Sequence, residues 1–121
     1  MNILRDVDED ALHDRVYVPL DLLAAEGVAD GPAAAMIVQP GFARACATLA
    51  VQAQAGFAAA ERALAVGDSA PLLPARVMMW GYRRLLDRLL ARGFIPPRQR
   101  PRLGAAEKLR MALAAARLAP V

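Results

Sequence analysis

Apolar positions in this chain recur mainly at steps of three and four residues. That spacing stacks them on one face of an α-helix. Phe42, Cys46, Leu49, Ala53, Phe57, Ala60 and Leu64 keep the step long enough to predict a helix over about 42–64. Its alanines, with Gly56, predict close packing against a neighbour. A second helix is predicted over about 74–92, with Met78, Tyr82, Leu85, Leu86 and Leu89 on its inner face. Pro74 suits a first helical turn and Gly93 a stop. Near the start, Ile3, Leu4, Val7 and Ala11 share one side of a helix over about 2–13. Asn2, Asp6, Glu9, Asp10 and His13 share another. RVYVP ends that helix at Pro19. PLDLLAAEG reads as a short helix stopped by Gly27, and ADGPAAAMIVQPG as a linker or short helix. VGDSAP reads as a turn and FIPPRQRPRLG as an extended basic segment. A last helix is predicted over about 105–117. No strand, hairpin or internal repeat is signalled. The fold class is all-α, and residues 1–121 form part of one domain.

Composition agrees. Of 121 residues, 57% are hydrophobic, much of that alanine, and only 5% are aromatic. Such a mixture favours helices over strands. The mean hydropathy of +0.29 requires a check for a membrane span. The longest charge-free stretch, ACATLAVQAQAGFAAA, holds two Gln and a Gly and falls short of the roughly 18–20 apolar residues a spanning helix needs. The expectation is therefore no transmembrane helix. An acidic N-terminal segment does not resemble the basic start of a secretory signal. A single cysteine, Cys46, excludes an internal disulfide and fits a reducing cytoplasm.

Charge changes the picture more. The net +3 conceals an asymmetry. Residues 1–30 hold eight acids against Arg5 and Arg15, whereas from Arg76 onward there are eleven bases against Asp87 and Glu107. Two such blocks either attract each other or share an anionic ligand bridged by metal. A solvated helical surface is the plain alternative. The acids crowd at NILRDVDED. Asp6, Asp8 and Asp10 alternate, as in a calcium loop. But an EF-hand counted from Asp6 needs Gly at its sixth position and Glu at its twelfth, where Ala11 and Tyr17 stand. On a helix, Asp6 and Asp10 lie one turn apart. Two such carboxylates can share Mg²⁺ with substrate phosphates, or simply complement a helix N-terminus. Spacing leaves both open.

The longer string is more specific. NILRDVDED followed by DRVYVP resembles the second aspartate-rich region of the squalene/phytoene synthase family, whose pattern runs approximately NxxRDxxEDxxxxRxYLP. Asn2, Arg5, Asp6, Glu9, Asp10, Arg15, Tyr17 and Pro19 match, and Val18 stands for Leu. GYRRLLDRLLARGF resembles the family's late helix, with Tyr82 in its YxxxLD pattern. RPRL with Lys108 resembles the closing basic segment, and PPRxRxRL is most like the bacterial presqualene-diphosphate branch of the hopanoid route.

The resemblance implies an all-α isoprenoid-synthase bundle around an apolar cavity. It implies a prenyl transferase joining two farnesyl or geranylgeranyl diphosphates head to head. Asp6 and Asp10, aided by Glu9, become the ligands of Mg²⁺, with Mn²⁺ as the alternative. Asn2, Arg5, Arg15, Tyr17, Arg100 and Lys108 become diphosphate-side residues. Tyr82 joins Asp6 and Asp10 as a catalytic candidate. Each has a plain rival: Tyr82 as core, Arg15 paired with Asp10 or Asp14, Arg100, Arg102 and Lys108 as solvated charges. His13 reads as a surface residue, Trp80 and Cys46 as packing. The remaining acids are too scattered for a second DxxxD. The expectation is thus the C-terminal part of such a synthase, lacking the helices that carry the first motif. A truncated frame, an internal start or a split gene would each produce it. Alone it is expected to lack synthase activity, to bind Mg²⁺–diphosphate weakly and to associate through exposed apolar faces. It is placed in the cytoplasm or peripheral to the inner membrane. A basic helical nucleic-acid binder is the weaker class, because aromatic interleaving and a reading motif are absent. No nucleic-acid partner is expected. A non-catalytic helical subunit completing a separate N-terminal half is the other alternative.

Overall fold

Two long helices carry the core in a computed structural model that describes residues 1–66 and 72–117. In chain order the helices are α1 Asn2–Arg5, α2 Val7–Ala11, α3 Leu20–Ala25, α4 Ala33–Met36, α5 Pro40–Val66, α6 Leu73–Arg92 and α7 Ala105–Ala115. The fold is all-α, with no strand among the described residues. Helix α5 packs against α6 and α3, and α7 packs against α6. The short helices α1 and α2 lie against α5 and α4. Of the predicted VGDSAP turn, residues 67–71 lie outside the described residues. None of the described helices is long and apolar enough to cross a membrane.

The three- and four-residue step builds the seam between α5 and α6. Phe42, Ala45, Cys46 and Ala50 are buried on α5, facing Leu86 and Leu89 of α6 within one apolar cluster. Leu4 and Val7 join it from the acidic segment. Truncating a side chain such as Leu86 would cost about 2–5 kcal/mol, from lost transfer energy and the cavity left behind.

Several expectations need correction. The 2–13 helix is interrupted at Asp6, whose φ of −105° and ψ of 14° leave helical values. Backbone bonds still bridge the break: Asp6 N–H donates to Asn2 O at 2.9 Å and Asp10 N–H to Asp6 O at 2.8 Å. Met78 is 56% exposed rather than inner, and Val77 and Gly81 take the buried positions beside it. Gly56 is exposed and a methyl group there would meet nothing. The close approaches occur at Gly41 and Gly81 instead. A Cβ on Gly41 would strike the carbonyl oxygen of Glu26, so only glycine lets α5 start against the end of α3.

Two left-handed residues shape the turns around the acidic segment. Gly27, at φ 69°, closes α3 while Val28 N–H donates to Leu23 O at 3.0 Å. Asp14, at φ 53°, plays that part after α2, with Arg15 N–H donating to Asp10 O at 3.0 Å. The Asp14 carboxylate also accepts from Ala33 N–H at 2.8 Å and so ties the start of α4 to the acidic turn.

Candidate functional site

The acidic and basic ends of the chain meet directly. The Arg98 Nε and Nη2 donate to both oxygens of Asp8 at 3.0 and 2.7 Å, across 90 residues of sequence. Its Nη1 donates to Ile37 O at 3.0 Å and Phe94 O at 3.1 Å. The Arg98 side chain is 1% exposed, and its guanidinium lies over the Phe42 ring. Two residues on, Arg100 bridges Asp6 at 2.9 Å and Glu9 at 2.8 Å. Its side chain is 43% exposed. Of the two uses offered for the charge asymmetry, mutual attraction is the one formed in the chain itself.

Asp6 is the most contested carboxylate. Arg5 Nε and Nη2 grip it in a fork, both bonds 2.8 Å, while Arg100 holds it from the basic segment. The Arg5 fork and then the nearby charges hold the Asp6 carboxyl below the usual carboxylate range. The same fork raises Arg5. Asp6 therefore stays ionised throughout the neutral range. Asp10 makes no ion pair among the described residues. It borders a recess of about 10 Å³, room for roughly one water, shared with Arg15 and Tyr17.

Arg5 also faces a second recess, of about 280 Å³, that Met78, Gly81, Tyr82, Leu85, Leu103 and Met111 line. That is near the low end of small-molecule sites. Helices α6 and α7 make it together. Gly81 allows the approach, because a Cβ there would meet the Met111 sulfur at 2.9 Å. Tyr82 is half-buried on this wall. A larger apolar groove of about 610 Å³ runs past Val38, Ala43, Leu90 and Ile95. No predicted site residue lines it.

Of the predicted residues, the structure groups Arg5, Asp6, Glu9 and Arg100 by ion pairs. It sets Asp10, Arg15 and Tyr17 along one small recess and Tyr82 beside Arg5. Asn2 is exposed, and among the described residues it joins through its backbone carbonyl, which accepts from Asp6 N–H. Lys108 is exposed on α7, with its backbone N–H donating to Gly104 O; no contact among the described residues brings its side chain to the acidic turn. Arg15 pairs with neither Asp10 nor Asp14 among the described residues. Trp80 is half-buried, with the Arg84 and Arg110 guanidiniums 5.4 and 5.2 Å from its ring centre. Burial pushes the Cys46 thiol up to about 11, which suits a packing role.

Sequence reasoning passed over Arg98, Asp8 and Arg92. Arg92 is half-buried beside Arg98, and burial lowers its guanidinium below the ordinary value. It donates to Gly93 O and Gln99 O at 2.9 and 2.5 Å, which folds the basic segment back on α6. The signal available was the segment's density of arginine between prolines. Spacing does not say which arginine turns inward.

A family model described as squalene/phytoene synthase matches residues 1–107. The chain is 36% identical over 93% of its length to a presqualene diphosphate synthase of Rhodopseudomonas palustris, covering 40% of that protein. It is 36% identical over 81% of its length to one from Sinorhizobium fredii, covering 35% of it. A phytoene synthase of Thermus thermophilus is 41% identical over 98% of the chain, which covers 42% of that protein. No solved structure gives a significant match. The chain thus belongs to the squalene/phytoene synthase family and spans 26–42% of the length of the relatives it matches.

Proposed function

We propose, from this membership, that the chain supplies the second acidic motif of a prenyl transferase that joins two farnesyl diphosphates head to head into presqualene diphosphate. The observation that supports it most is the meeting of Arg100 with Asp6 and Glu9 beside the recess that Arg5 and Tyr82 line. A basic arm, an ionised carboxylate and an apolar wall are what a prenyl diphosphate needs from its host. Arg5 and Arg100 bind diphosphate oxygens through charge-assisted bonds. Tyr82, Leu85, Leu103 and Met111 take the start of the prenyl chain and keep water from the reacting carbon. The 41% identity to a phytoene synthase supports a second reading, with geranylgeranyl diphosphate as substrate.

Among the described residues no group of three or more acids, histidines or cysteines is disposed to hold a metal. The donor set fits Mg²⁺ all the same, because that ion takes one or two carboxylates and completes its shell with water and substrate phosphate. Asp6 and Asp10 would hold it, with Glu9 at hand and Mn²⁺ as the alternative. Held by these carboxylates, it would supply charge neutralisation to a leaving diphosphate. Asp6 is already shared with Arg5 and Arg100, so it enters such a site with its orientation fixed.

The acids outside the cluster at residues 6–14 form no further DxxxD, so this acidic cluster acts without a separate counterpart in the 121 residues. The chain alone is therefore inactive as a synthase and retains weak Mg²⁺-dependent diphosphate binding. Incubation of the purified 121-residue chain with labelled farnesyl diphosphate and Mg²⁺ tests this. No condensed product is expected, and turnover comparable to a full-length relative would refute it.

A further inference from the structure

Arg98 differs from every other arginine of the basic segment. Its side chain is 1% exposed, against 43% for Arg100. It also joins three parts of the chain: Asp8 of the acidic turn, Ile37 at the end of α4, and Phe94 after α6. A buried guanidinium with its donors satisfied by a carboxylate and two carbonyls is held far more firmly than an exposed one. Arg100 lies two residues further on, with only Gln99 between them. Its reach to Asp6 and Glu9 is therefore set by where Arg98 is fixed.

We infer that Arg98, locked by Asp8, is a positioning residue for diphosphate binding, acting through Arg100. This rests on the reading that Arg100 meets a diphosphate at the acidic turn. Arg98 itself touches no ligand. It fixes the Pro-rich segment so that the Arg100 side chain needs little further ordering when it binds. Preorganisation of this kind raises affinity by reducing the entropy lost on association. Asp8 thereby acquires a use distinct from that of Asp6 and Asp10: it orients the basic arm.

A double-mutant cycle separates positioning from simple stability. The probe is inorganic diphosphate with Mg²⁺, titrated by calorimetry into the full chain. Arg100→Gln should weaken binding about ten-fold, the loss of a charge-assisted contact. Arg98→Gln should weaken it about five-fold in the parent but less than about two-fold when Arg100 is already Gln. Arg98→Lys should recover little, because a lysine lacks the fork that spans Asp8. If Arg98→Gln fails to fold, Asp8→Asn answers the same question, since it leaves the two carbonyl bonds of Arg98 in place. Equal losses from Arg98→Gln or Asp8→Asn in both backgrounds would overturn the inference and leave the diphosphate site standing. Absence of Mg²⁺-dependent diphosphate binding by the parent chain would remove the site reading and the inference together.

Discussion

Among the arginine–carboxylate junctions that tie elements of this chain together, two differ most in what they join. At one, Arg98 and Arg100 reach from the basic segment to Asp8, Asp6 and Glu9. At the other, Arg88 of α6 grips both oxygens of Glu107 at 2.7 and 2.6 Å and reaches Arg102 O. Glu107 also accepts from Gly104 N–H at 2.7 Å, which starts α7. The second junction is local bookkeeping between two packed helices: it caps one and clamps it to the other. The first joins residues 90 or more apart in sequence and includes the ionised Asp6, with Asp10, one turn away, making no ion pair among the described residues. Similar ion pairs thus serve a helix joint in one place and a junction between the acidic turn and the basic segment in the other. Burial and neighbouring groups, rather than the pair itself, decide which.

The comparison breaks most visibly in stability. Arg98→Gln should lower unfolding free energy by about 1–3 kcal/mol, because it leaves the part-buried Ile37 and Phe94 carbonyls without their donor, while the half-exposed Asp8 carboxylate returns to water. Arg88→Gln should cost about 1 kcal/mol or less, as half-exposed pairs do, with some loss of α7 helicity. Urea unfolding followed by circular dichroism measures both. A larger loss at Arg88 than at Arg98 would invert the contrast.

Acid comes next. Asp6 has its folded value lowered, so its contribution is complete above the ordinary carboxyl value of 3.8 and is lost as pH falls through the folded value. Stability should drop below about pH 4, and Asp6→Asn should make that drop shallower. An unchanged acid limb in Asp6→Asn would remove the Arg5 fork from the account. The smallest effect concerns Cys46. Buried beside Arg98, with its thiol pushed up to about 11, it should resist iodoacetamide at neutral pH. In Arg98→Gln it should become reactive, while in Arg88→Gln it should stay protected.

The apolar seam was legible because a helix writes its buried face at a fixed local step. Phe42, Cys46, Leu86 and Leu89 follow from that step alone. Met78 shows its limit. Position 78 shares the step with Tyr82, but α6 packs between two neighbours and turns Met78 toward the open recess. The break at Asp6 was illegible, since a one-residue change in ψ leaves the hydrophobic pattern intact. Asp6, Glu9 and Arg100 were legible as candidates through the NILRDVDED string and its resemblance, while their pairing across the chain was not. Arg98 was missed because two arginines two residues apart read alike until the fold buries one. Lys108 matched a pattern too, and it is exposed on α7, away from the contacts that group Asp6, Glu9 and Arg100.

The central claim is that the junction of acidic turn and basic arm receives a prenyl diphosphate while the α6–α7 junction does not. Calorimetric titration of farnesyl diphosphate with Mg²⁺ into the parent, Arg100→Gln and Arg88→Gln chains tests it directly. The account predicts weak Mg²⁺-dependent binding by the parent, about ten-fold weaker in Arg100→Gln and unchanged in Arg88→Gln. Equal binding by all three, or none by the parent, would contradict it.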